Sequence, residues 1–303
     1  MPIFEHAYHP YDGPLTAPRR LPLAIARRGL AEAFASRLVV LLLGAAAIAT
    51  LVFAILIYLH YNLPALRILR LAVTKLVPID AQFFTVFLVI AAVLAFFLAL
   101  WLGPPAIARD QANNALPLYL SRPITRPQYL WGKMLPLLLL LSVVTWLPGL
   151  FLFVLQASLA GGQWFAANLH IAAGIFLGSL VWIVLLSLLA NALSAALKRR
   201  WPATAALVGL FFIPGIVGGI LDNFLTTPWG RLLSPLALMR IIWQGLFRLN
   251  LPAYGFVPGP DGHRVWGVLP PVPAWSAWLV VALLAAGCLA LLARSLRPYP
   301  PIR

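Results

Sequence analysis

The chain alternates long apolar runs with short polar connections, and six of the runs approach or exceed the roughly 20 residues that cross a bilayer core of about 30 Å. They predict spans over 38–58, 83–102, 135–155, 171–193, 203–221 and 275–292. The fifth run is the shortest and holds Pro214 with nearby glycines, so a kink or an incomplete crossing is expected there. Pro148 is a second kink candidate, in the third run. Solid runs rather than alternating ten-residue segments exclude a transmembrane β-barrel. The predicted fold class is an all-α integral membrane protein with six transmembrane helices. An interfacial helix precedes them, and a short polar helix lies between spans two and three.

The polar connections carry their own periodicity. Residues 1–20 are proline-rich and read as an irregular tail. In 21–37, Pro22 suits a first helical turn, and Leu23, Ala26, Leu30 and Phe34 recur at helical spacing while Arg27, Arg28 and Glu32 face elsewhere. This predicts an amphipathic helix at the membrane surface; the plainer reading is a positively flanked start to span one. Residues 63–77 place Arg67, Arg70 and Thr74 on one helical face, and 234–250 space Arg240, Gln244 and Arg248 by fours among Leu236, Met239, Ile242 and Trp243. Both segments are too polar on one side to span. They are expected to lie in the interface or to dip in and return, with their arginines snorkelling to headgroups. The stretch 252–273 is proline- and glycine-rich and reads as an outer loop. The organisation is thus a tail (1–20), a surface helix (21–37) and a six-span domain (38–303). That domain has a polar loop at 103–133 and an outer, partly re-entrant segment at 222–274.

Composition agrees with this class. Hydrophobic residues make up 62% of the chain and charged residues 10%, with a mean hydropathy of +0.94. The net charge of +15 would suggest nucleic acid in a soluble protein. No basic cluster with interleaved aromatics supports that, so the charge reads as topology and anionic headgroups. Of the 22 Lys and Arg residues, fifteen fall on the side of the termini, which the positive-inside rule makes cytoplasmic. The first apolar run begins near Leu38, too far in for a cleavable signal peptide. A single cysteine, Cys288, excludes an intrachain disulfide.

Catalytic motifs are missing. Gly132-Lys133 is followed by Met134 and lacks the upstream glycine of a phosphate-binding loop. There is no HExxH, no GxSxG and no Cys/His cluster with metal spacing. None of the seven acidic residues falls clearly within a predicted span, and Asp80 and Asp222 read as helix-end residues. The absence of intramembrane charge and of an internal repeat argues against a secondary carrier. His60, His170 and His263 are isolated and receive no role. Gly174-x-x-x-Gly178 and Gly215-x-x-x-Gly219 allow close helix approach, first within the chain and second at a dimer seam.

The loop at 103–133 stands apart. Pro104-Pro105 is expected to stop span two, followed by a short helix over 106–120 in which Arg109, Asp110, Asn113 and Asn114 offer donors and acceptors. Ser121-Arg122-Pro123 and Thr125-Arg126-Pro127 break the chain twice, and Tyr129, Trp131 and Lys133 anchor its return. An ordinary positive-inside loop accounts for the arginines but not for the length, the amides or the proline brackets.

The run from Arg109 to Lys133 resembles the second-loop signature of ABC transporter type-2 permeases. In these, an acidic or amide-rich helix leads to a stretch like LYLSRPITR, here 118–126, and then YLWGK, here 129–133. The layout of surface helix, six spans and partly re-entrant outer segment is similar too. Where many members carry a glutamate followed by Gly-Thr, this chain has Gln111-Ala112-Asn113-Asn114-Ala115. The resemblance implies the permease subunit of an ABC exporter in the bacterial inner membrane, with 106–120 as its coupling helix. Its partners would be a cytosolic ATPase holding the ATP and magnesium, a second copy or paralogue, and membrane lipids, with no cofactor in this chain. Arg109, Asp110, Asn113, Asn114, Tyr119, Arg122 and Arg126 are the implied ATPase-facing residues. Arg27, Arg28, Arg240, Gln244 and Arg248 are assigned to the membrane interface. The alternative is a membrane anchor or force-transmitting factor that recruits a cytosolic partner without transport. Lipid, hydrophobic or bulky polymer cargo is expected over a small ion.

Overall fold

The computed structural model describes residues 21–62, 78–113, 125–225, 227–250, 252–258 and 264–295. Among them, six helical stretches are long and apolar enough to cross a membrane. They are α2 (Arg37–Tyr61), α3 (Ala81–Ala112), α4 (Arg126–Val144) continued by α5 (Trp146–Ala160), α7 (Leu169–Leu197), α8 (Arg200–Leu225) and α10 (Ala274–Ser295). Around them lie α1 (Leu21–Phe34), the short α6 (Gly162–Ala167), a 3₁₀ turn (Pro228–Leu233), α9 (Pro235–Leu246), and strands β1 (Ala253–Pro258) and β2 (Arg264–Leu269). The face from which α2 starts is called proximal here, and the opposite one distal. Each expected span is present, and most extend beyond the apolar run because polar turns continue the same helix.

Three prolines do not do what the sequence suggests. Pro104-Pro105 leave α3 intact to Ala112. Their rings remove two N–H groups from the ladder, and a buried side chain of α7 pins the turn that follows them. The Ser194 hydroxyl donates to the Pro104 carbonyl at 2.6 Å and accepts from Ile107 N at 3.0 Å and Ala108 N at 2.9 Å. The expected separate helix over 106–120 is corrected in its first half: 106–112 are the last turns of α3 and the chain turns at Asn113, while 114–120 lie outside the described residues. Pro214 likewise sits inside an unbroken α8, so the fifth crossing is complete.

In the third crossing the break lies at Thr145 (φ −108°, ψ −90°), one turn before Pro148. A proline has no N–H for the carbonyl four residues back and collides with it, which expels the helix at 144–145. Thr145 Oγ1 donates to Leu141 O at 2.8 Å and closes the frayed turn.

α7 is the central post, touching α3, α4, α5, α8, α9 and α10. Trp182 Nε1 donates to Ala92 O of α3 at 3.2 Å. Gly174 and Gly178 serve packing within the chain. A Cβ at Gly178 would lie 2.9 Å from the Trp243 ring, and one at Gly174 3.3 Å from Phe247. In contrast, α2 and α8 are bared: only 17% of either apolar window is buried, so these helices face lipid or another subunit.

α1 ends at Phe34, and a turn separates it from α2. Its buried positions are Ala26 and Ala33, while Leu23 and Phe34 of the expected apolar face are exposed. Small residues let it close on α4: a Cβ at Gly132 would lie 2.8 Å from Ile25, and one at Gly29 2.9 Å from Pro136.

On the distal side, Ser234 caps α9 by accepting from Ala237 N at 3.4 Å. Leu238, Met239, Ile242 and Trp243 turn inward. Trp243 Nε1 donates to Gly178 O at 3.1 Å, roughly 13 Å along α7 from its first residue at the helical rise. The four-residue spacing of Arg240, Gln244 and Arg248 does not make one face. The helix stops at Leu246, and Arg248 adopts a left-handed conformation (φ 53°). Arg240 and Arg248 are exposed and Gln244 is half-buried. The expected outer loop at 252–273 contains an antiparallel hairpin, paired from Ala253↔Leu269 to Pro258↔Arg264. Phe256, Val257, Val265, Trp266 and Val268 are strand formers, and the surrounding Gly and Pro obscure them in the sequence.

Candidate functional site

The polar loop between spans two and three is a corner held shut by one carboxylate. Asp110, on the last turn of α3, accepts from the Tyr129 hydroxyl at 2.7 Å and lies 2.6 Å from Lys133 Nζ on α4. The ammonium also rests 5.8 Å from the Tyr129 ring centre. Tyr129 is buried, and the two charged side chains are only 15–18% exposed. The start of α4 is fixed locally: Thr125 N donates to Gln128 Oε1 at 3.0 Å in a capping box, and Pro127 supplies a first-turn φ. The aromatic and cationic anchor read from the sequence thus closes on Asp110 itself, turning that carboxylate inward.

Arg109, Asn113 and Arg126 are exposed around this corner. Asn114, Tyr119 and Arg122 lie outside the described residues, as do Arg67 and Arg70. Arg27 and Arg28 are exposed on α1, and Arg28 makes a surface pair with Glu32 at 3.4 Å, worth little on its own.

Beside the corner, on the proximal face, opens a cavity of about 1000 Å³. Arg28, Trp101, Arg109, Lys133, Asn191 and Arg200 give it its polar character. The Arg200 guanidinium stacks 4.5 Å from the Trp101 ring, and Trp101 Nε1 donates to Ser36 Oγ at 3.0 Å.

Several groups escape the sequence reading. Ser194, Ser187 and Asn191 are fully buried polar residues on α7, recognisable only as polar letters in an apolar run. Asn191 donates to Ser187 O at 2.8 Å, but its Oδ1 is buried without a partner among the described residues. Asp222, read as a helix-end residue, lies buried in the last turn of α8. It accepts from Gly230 N at 2.6 Å and pairs with Arg231 Nε at 3.6 Å. Burial lowers the Arg231 pKa, Asp222 counters the shift, and nearby Arg240 adds to it. Asp80, in contrast, is the helix cap expected of it, accepting from Gln82 N and Phe83 N. No group of three or more His, Cys, Asp or Glu positioned to hold a metal occurs among the described residues.

The model of the ABC-2 family transporter proteins matches residues 62–297, which takes in five of the six spans and the clasped corner. The chain belongs to the ABC-2 family. It is therefore a permease-type membrane subunit of an ABC transporter, and the family implies association with an ABC ATPase. A comparison with curated proteins returned no match.

Proposed function

We propose that this ABC-2 permease works as an exporter in which a separate cytosolic ATPase pushes on the clasped α3–α4 corner. The observation that carries the reading is the Asp110–Tyr129–Lys133 clasp. A load applied to Arg109, Asn113 or Arg126 reaches two spans at once, because the clasp makes their proximal ends one rigid piece. Ser194 then ties the same end of α3 to the central α7. Rigid-body tilting of packed helices is the form such transitions take.

In this reading the proximal face is cytoplasmic, as the basic excess there favours. ATP and magnesium belong to the partner. Asp110 serves as the internal brace, while Arg109, Asn113 and Arg126, with Asn114, Tyr119 and Arg122 in the connecting segment, meet the ATPase. The bared α2 and α8 leave room for a second copy or a paralogue. Cargo is lipid, hydrophobic or a bulky polymer.

The test is reconstitution of the chain with its co-purifying ATPase in sealed vesicles, loaded with candidate lipid and polymer cargo. ATP-dependent movement that stops when the ATPase is inactivated supports transport. An intact complex that hydrolyses ATP yet moves none of a broad cargo panel favours the force-transmitting alternative.

A further inference from the structure

Arg200 and Asn191, in the proximal cavity, take no part in the coupling reading. The cavity presents four cations to two carboxylates. Both carboxylates are already matched, Glu32 with Arg28 and Asp110 with Lys133. Arg109 and Arg200 remain without an acidic partner among the described residues. Both also line a shallower hollow of about 430 Å³ next to it, beside Arg199 and Trp201. Arg200 is not a loose surface charge. Stacking on Trp101 holds its guanidinium flat, and a planar guanidinium so held presents its N–H edge to an oxyanion.

Deeper in, Asn191 is 0% exposed and lines the same cavity. Its amide nitrogen is engaged with Ser187 O, while its Oδ1 lacks a donor. Uncompensated cations at the mouth and a buried acceptor within suit one kind of ligand: a phosphate diester bearing a hydroxyl. The surroundings choose the source. Trp101, Trp131 and Trp201 ring the proximal ends of α3, α4 and α8 and are 38%, 59% and 77% exposed, as tryptophans are at a membrane–water boundary. Exposed Leu38 and Phe97 lie on the adjoining flanks of α2 and α3, where acyl chains would run.

We propose that this cavity binds the headgroup of an anionic phospholipid. Arg200 holds the phosphate, and Asn191 Oδ1 accepts from a headgroup hydroxyl, directly or through one water. The site is independent of whether the chain exports anything.

The test is a titration of the purified full-length chain in neutral detergent with dioctanoyl phosphatidylglycerol, read by tryptophan fluorescence. Saturable binding is expected, at least about fivefold weaker in Arg200→Gln, the size of one arginine–headgroup contact. Arg200→Lys should keep only part of it, because the charge remains while the stacked N–H edge is lost. Asn191→Leu should weaken phosphatidylglycerol but leave dioctanoyl phosphatidic acid, which lacks the glycerol hydroxyl, unchanged. Equal binding of dioctanoyl phosphatidylcholine overturns the proposal, as does wild-type affinity in Arg200→Gln. Displacement by glycerol 3-phosphate at the same concentration overturns the lipid assignment. Should Arg200→Gln fail to fold, the lipid selectivity of the wild-type chain and the Asn191→Leu pair decide the matter.

Discussion

Lys133 Nζ lies 2.6 Å from Asp110 Oδ2, and this pair sets how the last turn of α3 meets the first turns of α4. Both side chains are mostly buried, so losing either partner strands the other charge. Asp110→Asn or Lys133→Met should each destabilise the protein by about 2 kcal/mol, below the range for a fully buried pair because some solvent remains. The double variant should cost less than the two singles together. Chemical or thermal unfolding in detergent measures this, and strict additivity would mean the pair does not hold the corner.

Ser194 satisfies three backbone groups at once, the Pro104 carbonyl and the Ile107 and Ala108 amides. Ser194→Ala removes all three hydrogen bonds. A loss of about 1–3 kcal/mol follows from the net worth of such buried bonds. It should fall mainly on the proximal end of α3, read as faster hydrogen exchange at 105–112. Unchanged exchange there would show that the proline turn stands without the hydroxyl.

Gly178 is the seat of Trp243, whose indole donates to its carbonyl at 3.1 Å. A methyl group at 178 would meet the ring at 2.9 Å. Gly178→Ala should therefore lift α9 off α7 at a cost of about 1–3 kcal/mol, as overpacking does. The tryptophan emission should shift to the red as the ring becomes exposed. Gly287 of α10, with nothing within 4 Å of an added Cβ, is the control that should tolerate alanine.

Asp222 and Arg231 form a second buried pair, on the distal side. Asp222→Asn should destabilise more than the double variant Asp222→Asn/Arg231→Met, which keeps an acceptor for Gly230 N. The single change strands a buried guanidinium by about 3 kcal/mol, whereas removing both charges is close to neutral. Unfolding of the three proteins side by side checks the order.

The apolar runs made the six spans legible because length and hydrophobicity alone dictate a crossing. The helices at 21–34 and 235–246 could be read from helical spacing. What could not be read was tertiary. Pro104-Pro105 look like a stop, yet the helix runs through them to a turn that Ser194, ninety residues away, pins by hydrogen bonds. Asp110 looks like a surface contact until α4 folds Tyr129 and Lys133 back onto it. Asp222 was hidden because its partner follows a turn whose path the sequence does not reveal. The hairpin at 253–269 was lost among glycines and prolines. In each case a local signal was overridden by a group remote in sequence or in backbone path.

The complex itself tests whether the clasped corner is the handle for an ATPase. The permease should be purified as the Arg109→Glu/Arg126→Glu variant, which leaves Asp110, Tyr129 and Lys133 intact, and the ATPase recovered per permease compared with wild type. A fall of about tenfold or more, from two reversed surface contacts, with unfolding behaviour unchanged, is the expected result. Wild-type recovery of the ATPase, with the same permease-stimulated ATP hydrolysis, would contradict it.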